Sequence, residues 1–342
     1  MKKKNYIWKK SVNPELKSVS GKSILVTGGT GSFGKSFVKF LLKKYSNNRI
    51  VIFSRDELKQ FEMAEELNNS NLRFFIGDVR DYQRLKRAFN GIDFVIHAAA
   101  LKQVVAAEYN PTECIKTNVY GAENVINAAI DCGVKRVIAL STDKAVNPVN
   151  LYGASKLCSD KLFISGNNLS GADGTIFSVV RYGNVIGSRG SVIPLFIKYK
   201  DRGEIPITDE RMTRFWISLE DGVNFVYQSL KIMKGGEIFI PKIPSMKIVD
   251  LAKALAPNCK QVITGIRPGE KIHESMITID DAPRTIEFED KYIICPEKEL
   301  VKEKEYIKYS NLLGKVVNEK FKYDSHANSN WFTVDQLRKI LR

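Results

Sequence analysis

The sequence predicts an α/β fold: a doubly wound parallel sheet with a smaller α/β domain attached. Three observations carry that expectation. Short continuous apolar runs recur through the first half of the chain, separated by stretches of helical periodicity, which is the pattern of strands covered on both faces. A cluster of glycines stands between the first run and the first helical stretch. After Asn184 the pattern loosens, and Gly, Pro, Arg and Ser recur through 187–214.

Taken in order, residues 1–20 hold six Lys and one Glu, and read as a loosely docked basic arm. The run 24–26 is the first strand and ends at Thr27 and the glycines. Phe33, Phe37, Phe40 and Leu41 then fall at helical spacing. Runs 49–53, 74–76, 94–96, 137–140 and 177–180 are further strands. The patterns 57–68, 81–89, 112–131 and 150–165 are the helices between them. Residues 21–184 form the larger domain, to which part of the later chain returns, and 185–342 form mainly the smaller one. Within the latter, 297–309 alternate in charge and predict a solvated helix or loop.

Composition excludes several classes. The 342 residues carry a net charge of +15, but outside the arm the basic residues are interspersed with acids, so no nucleic-acid stripe stands out. No apolar run approaches the roughly 20 residues of a membrane span. No apolar segment follows the basic N-terminus as a secretory signal would require. The five cysteines (114, 132, 158, 259, 295) are odd in number and widely spaced, as expected of reduced thiols in a cytoplasmic protein. His97 reads as structural, and His273 and His326 have no ligand-like spacing, so no metal is expected.

The first strand runs into Thr27-Gly28-Gly29-Thr30-Gly31-Ser32-Phe33-Gly34 and then a helix. Glycines at 28, 31 and 34 suit a tight turn, close approach to a pyrophosphate, and close helix–strand packing. The helix N-terminus offers free N–H groups to the phosphates. Ser54-Arg55-Asp56 ends the second strand. An arginine there accommodates a ribose 2′-phosphate, which favours NADP over NAD. Asp78 and Val79 follow the third strand, where an adenine would be bracketed.

Thr142, Asp143 and Lys144 end the fifth strand, and Tyr152 and Lys156 follow on one face of a helix. An ammonium beside a phenol lowers the phenol's pKa and makes it a usable acid or base.

These residues resemble the extended short-chain dehydrogenase/reductase superfamily, which has the Rossmann fold. The chain is most similar to its inverting UDP-N-acetylglucosamine 4,6-dehydratases, through SRDELKQ (54–60), FFIGDVRD (74–81), ALSTDKA (139–145), NLYGASKLCSDKLF (150–163), RYGNVIGSRGSV (181–192), ITDERMTRFW (207–216), IPKIPSMK (240–247) and IRPGEKIHE (266–274). The resemblance spans about residues 22–340. It implies a cofactor site of Gly28, Thr30, Gly31, Ser32, Phe33, Gly34, Ser54, Arg55, Asp56, Glu57, Leu58, Lys59, Asp78, Val79, Ala98, Lys102, Tyr152, Lys156 and Val185. It places Lys102, Asn184, Arg189, Thr208, Arg214, Arg267 and Glu270 against the nucleotide sugar.

The same resemblance implies the chemistry. C4 of the sugar is oxidised by NADP, Lys144 as a neutral amine takes the C5 proton, protonated Asp143 helps the C6 hydroxyl leave, and hydride returns to C6. Thr142 bonds near O4. Which residue returns a proton to the opposite face of C5 is left open. A simple 4-epimerase would need only Thr142, Tyr152 and Lys156. The family further implies a homo-oligomer, dimer to hexamer, at the first step of pseudaminic acid synthesis. One departure stands after Lys102, where family members often have His and Pro and this chain has Gln103-Val104-Val105. It bears on sugar preference and on the outcome at C5, and the alternative reading is a related UDP-N-acetylhexosamine dehydratase or epimerase of capsule or O-antigen synthesis.

Overall fold

The computed structural model describes residues 18–172, 174–188, 192–296 and 306–341. Most of the basic arm, 1–17, lies outside them. Strands and helices alternate as β1 (Ser23–Thr27), α1 (Ser32–Lys44), β2 (Arg49–Ser54), α2 (Glu57–Leu67), β3 (Leu72–Ile76), α3 (Tyr82–Phe89) and β4 (Phe94–His97). Two short helices, α4 (Val104–Tyr109) and α5 (Pro111–Ile115), lead through a π turn at Lys116–Tyr120 into α6 (Gly121–Asp131). The helical stretch expected over 112–131 therefore carries one widened turn, a feature often found where a helix serves a site. β5 (Arg136–Thr142), α7 (Leu151–Ser170) and β6 (Ile176–Tyr182) follow.

The later chain is more broken: β7 (Asn184–Val185), α8 (Val192–Lys200), β8 (Glu204–Ile207), β9 (Thr213–Ile217), α9 (Leu219–Ile232), β10 (Ile238–Pro241), β11 (Ser245–Lys247), α10 (Ile248–Leu255), β12 (Lys260–Ile263) and β13 (Ser275–Ile277). Then come β14 (Thr285–Glu287), β15 (Lys291–Ile294), β16 (Tyr306–Tyr309), β17 (Leu312–Val316), β18 (Tyr323–Asp324) and α11 (Val334–Leu341).

The main sheet runs β16-β17-β14-β15-β10-β6-β5-β4-β1-β2-β3. From β10 to β3 neighbouring strands are parallel, and β15, β14, β17 and β16 extend the sheet antiparallel. Helices cover both faces of the parallel part. That is why β4 and β6 are buried end to end, and why their sequences show continuous apolar runs instead of alternation. Each fully buried Val or Ile there contributes about 1.5–3 kcal/mol. Strand order reverses between β1 and β4, which opens a crevice above their C-terminal ends.

A second, smaller core gathers Phe196, Ile205, Ile207, Trp216, Met246, Leu251 and Leu337 from α8, β8, β9, β11, α10 and α11. Part of the charge-alternating stretch differs from its expected solvated helix or loop. Residues 297–305 lie outside the described residues, but 306–309 form β16. Ile307 and Tyr309, two apart, are buried, and that period-2 burial makes a strand.

Candidate active site

The crevice above β1 and β4 widens into one cleft of about 1090 Å³ that runs to the smaller core. Its first wall is the glycine turn. The amide of Gly31 donates to the Gly28 carbonyl at 2.9 Å and turns the chain into α1. Gly31 is the N-cap and offers no side chain to the first-turn N–H groups, and that turn holds no acid. Those donors are left for an anion. Gly34 must be glycine for packing, because a Cβ there would lie 2.5 Å from the Gly29 Cα and 2.7 Å from the Gly28 oxygen. The turn thus fits the pyrophosphate of a dinucleotide. Thr30, Ser32 and Phe33 line the cleft beside it.

At the end of β2, Asp56 caps α2 by accepting from the Lys59 amide at 3.0 Å and pairs with the Lys59 ammonium. Arg55 is half exposed on the cleft wall, 3.6 Å from Asp78. Burial favours the protonated Asp78 carboxyl, but hydrogen bonds from Arg80 and the charges of Arg80 and Arg55 hold its pKa below the usual carboxylate value. Gln60 donates to the Ser54 carbonyl and hydroxyl, both at 3.0 Å, and to the Phe75 carbonyl at 2.9 Å, which locks β2 to β3 below the site. Ser54, Lys59, Val79, Ala98 and Val185 also line the cleft. Glu57 and Leu58 do not, and Leu58 points to solvent.

Lys102 lines the cleft and is partly open to solvent, and desolvation of its ammonium against the cleft wall lowers its pKa. Its loop is fixed by Asn118 in the π turn. The Asn118 amide donates to the Leu101 carbonyl at 2.8 Å and to the Ser155 hydroxyl at 2.9 Å, and its oxygen accepts from the Leu101 amide at 2.8 Å. One buried amide therefore ties the Lys102 loop to α7.

A second wall is formed by the end of β5 and the start of α7. Asn150 caps α7 by accepting from the Gly153 amide at 2.8 Å. A Cβ at Gly153 would sit 2.1 Å from the Lys144 carbonyl, so only glycine lets α7 approach the 143–145 turn this closely. That approach brings Tyr152 against Thr142 and Lys144, whose side chains both act on its phenol. Asp143 is fully buried. Its Oδ1 accepts from the Thr142 hydroxyl and from Lys144 Nζ, both at 3.0 Å, and its Oδ2 has no hydrogen-bond partner. Lys144 also donates to Asn184 Oδ1 at 3.2 Å and lies 3.7 Å from Glu274.

Two electrostatic expectations differ from what the residues do. Lys144 is not neutral: burial lowers its pKa, but Asp143 and Glu274 more than offset this and carry it above the ordinary lysine value. Tyr152 is not acidified: burial pushes its phenol up to about 12, against the lowering effects of Lys144 and the Thr142 hydrogen bond. Lys156 is buried beneath, its pKa lowered by desolvation and partly restored by Asp160. Asp160 Oδ2 accepts from the Ser141 hydroxyl at 2.7 Å and from Arg181 at 3.4 Å. His97 shares a 2.8 Å hydrogen bond with Thr27 and is kept neutral by burial and by Lys156, with its pKa down to about 3.

Asn184, Thr208, Arg214, Arg267 and Glu270 line the far end of the cleft, and Arg189 lies outside the described residues. Arg214 has little left for a diphosphate. Nη1 donates to the Thr213 and Ile272 carbonyls, and Nη2 to the Lys271 carbonyl, so three of its five N–H donors are used, two on the loop before β13 and one on β9 itself. Arg267 is the open cation, half exposed and 4.0 Å from Glu270. The quoted sequence segments contain Gln60, Asp160 and Glu274 without singling any of them out, and Asn118 lies outside all of them.

The His273 and His326 rings pack at a 30° tilt with centroids 4.5 Å apart, a proximity that no sequence spacing announces. Among the described residues no group of three or more His, Cys, Asp or Glu could hold a metal ion. No helix among them is long and apolar enough to cross a membrane.

Residues 24–296 match the family model described as polysaccharide biosynthesis protein. The chain belongs to that family, within the extended short-chain dehydrogenases/reductases. It is 59% identical over 326 residues to the UDP-N-acetylglucosamine 4,6-dehydratase (inverting) of Campylobacter jejuni subsp. jejuni serotype O:23/36 (strain 81-176), covering 94% of this chain and 98% of that one. It is 44% identical over 329 residues to a UDP-glucose 4-epimerase of Rickettsia prowazekii (strain Madrid E), covering 94% and 95%. Among solved structures, Pen from Bacillus thuringiensis superposes with a TM-score of 0.85 at 37% identity, covering 94% of this chain and 97% of that one. Family members thus differ in reaction, and the groups in the cleft must discriminate between them.

Proposed function

We propose that the protein is a hydro-lyase that removes water across C5 and C6 of UDP-N-acetylglucosamine and inverts C5. The product is UDP-2-acetamido-2,6-dideoxy-beta-L-arabino-hexos-4-ulose. The observation that carries this reading is the Asp143–Lys144 pair, hydrogen-bonded at 3.0 Å, with Lys144 on the cleft wall beside Tyr152 and Asp143 buried directly behind it. Epimerisation at C4 would leave that pair without work.

The glycine turn and the α1 N-terminus would hold the pyrophosphate of NADP, and Arg55 its 2′-phosphate. Bound there, NADP supplies the reversible hydride acceptor that C4 oxidation and C6 reduction share. The chain's own residues move the protons. Tyr152 accepts the O4 proton, with Thr142 and Lys144 as the groups that stabilise its phenolate. Oxidation makes the C5 proton acidic. One proton shift within the Asp143–Lys144 hydrogen bond turns carboxylate and ammonium into carboxylic acid and amine. Both forms that elimination needs then arise together, an amine base for C5 and an acid for the C6 hydroxyl. Proton gain by Lys144 and loss by Asp143 restore the ion pair; after C6 is reduced, a solvent-derived proton reaches the opposite face of C5, and Tyr152 releases the O4 proton to solvent. The open Arg267 and the Lys102 side chain are cations for the diphosphate. A cytoplasmic homo-oligomer at the first step of pseudaminic acid synthesis belongs to the same reading.

Turnover tests it. With NADP and UDP-N-acetylglucosamine, a 6-deoxy-4-keto sugar is expected by NMR with no build-up of reduced cofactor. Stoichiometric reduction would mean a dehydrogenase, and a UDP-N-acetylgalactosamine product a 4-epimerase. The cofactor preference has its own check. Arg55→Ala is expected to weaken NADP binding by roughly tenfold or more, as loss of a charged hydrogen bond does, and to leave NAD binding nearly unchanged. Equal loss for both in a direct titration would contradict the role given to Arg55.

A further inference from the structure

We propose that Glu274 is a positioning residue for the C5 proton transfer: its buried carboxylate is the second anion of Lys144 and holds that side chain's charge and aim. The proposal rests on the reading of Lys144 as the C5 base.

Glu274 is rigidly placed. It directly precedes β13; its amide donates to the Ser325 hydroxyl at 2.9 Å, and its carbonyl accepts from the Ser325 amide at 2.8 Å. Its side chain is 3% exposed. Three cations face it from three parts of the chain. Lys144 and Arg214 approach Oε1 at 3.7 and 3.9 Å, and Lys271 approaches Oε2 at 3.4 Å. Oε2 is buried with no hydrogen-bond partner. A buried carboxylate needs compensation, and here it comes from charge across loose distances and not from tight hydrogen bonds.

The surroundings of Lys144 give this charge its use. Facing its ammonium are Asp143, Glu274, Arg214, the Asn184 amide and the Tyr152 phenol. Asp143 alternates between acid and carboxylate during elimination, so it cannot be a constant counter-ion. Glu274 can, since it lies within charge range of Lys144 and outside hydrogen-bond range. As Lys144 takes the C5 proton, positive charge grows 3.7 Å from a fixed negative one, which strengthens the amine as a base. Lys271 restrains the effect from the other oxygen. It is anchored by donating to the Val146 carbonyl at 2.6 Å, on the turn that carries Asp143 and Lys144.

The test is the rate at which deuterium from heavy water enters C5 during turnover, followed across alkaline pH with the full chain and NADP. In the parent protein this rate, measured in a single turnover from the bound 4-keto sugar so that the Tyr152-dependent oxidation of C4 does not contribute, rises with pH as Lys144 loses its proton. Glu274→Gln is expected to lower the plateau about tenfold and to move the rise to lower pH by about one unit. Glu274→Asp keeps the charge and is expected to leave the rise in place. Lys271→Met removes the restraining cation and is expected to move the rise to higher pH, a result that carries the test if the Gln variant fails to fold. The proposal is overturned if Glu274→Gln lowers the plateau with the rise unmoved, or if Lys271→Met moves it the same way as Glu274→Gln. Failure of the underlying reading looks different: Lys144→Arg would then admit deuterium at the parent rate, whatever Glu274 does.

Discussion

Lys144→Ala and Lys144→Arg are expected to bind UDP-N-acetylglucosamine, oxidise C4 and stop. Both lose the neutral amine. Alanine has none, and guanidinium stays protonated throughout the working range. Loss of a general base costs about 100-fold or more. The expected residue of the reaction is a bound 4-keto sugar that keeps its C6 oxygen, together with reduced cofactor and no deuterium at C5. Lys144→Arg also keeps the cation beside Asp143, Asn184 and Glu274, so it separates base from counter-ion. Near-parent turnover by this variant would reduce Lys144 to a charge that orients the sugar. Asp143 or Tyr152 would then have to take the C5 proton.

Tyr152→Phe blocks the reaction one step earlier. The ring still fills its place against Thr142, but nothing remains to accept the O4 proton. C4 oxidation is expected to fall by about 100-fold or more, with no reduced cofactor and no deuterium at C5. The parent's pH dependence follows from the phenol's position. With the pKa raised to about 12 in the free protein, chiefly by burial, the phenolate fraction grows as pH rises, so kcat/KM for C4 oxidation should climb from neutral to alkaline pH. In Tyr152→Phe that climb should vanish. A parent profile flat over the same range would mean that another group takes the O4 proton.

The two variants also mark what was legible in the sequence. The cofactor end of the cleft was open to reading because its signals are local. Glycines 28–34, Arg55 and Asp78 each sit at the end of a strand whose apolar run is continuous, and the fold delivers strand ends to one crevice. The neighbourhood of Thr142, Asp143, Lys144, Tyr152 and Lys156 was legible for the same reason, the residues being four apart on α7 or consecutive after β5. Their charge states were not. The resemblance implied a neutral Lys144, and a neighbouring ammonium an acidified Tyr152, but the charges of Asp143 and Glu274 raise the first and burial raises the second. Glu274 reaches the site only through the pairing of β13 with β18, which no local spacing encodes. Arg214 reads as a diphosphate ligand until its donors are followed to the carbonyls of 213, 271 and 272. Strands β14 to β17 are short and mixed in composition, and they join the sheet by antiparallel pairing that apolar periodicity does not announce.

The central claim is that one hydride leaves C4 and returns to C6 while a solvent proton replaces the one at C5. Turnover of UDP-N-acetylglucosamine carrying deuterium at C4, in ordinary water with catalytic NADP, tests it most directly. The expected product has the deuterium in the C6 methyl group and a solvent-derived hydrogen at C5. Deuterium that stays at C4 of an epimerised sugar, or that leaves with the cofactor in stoichiometric amount, would contradict it.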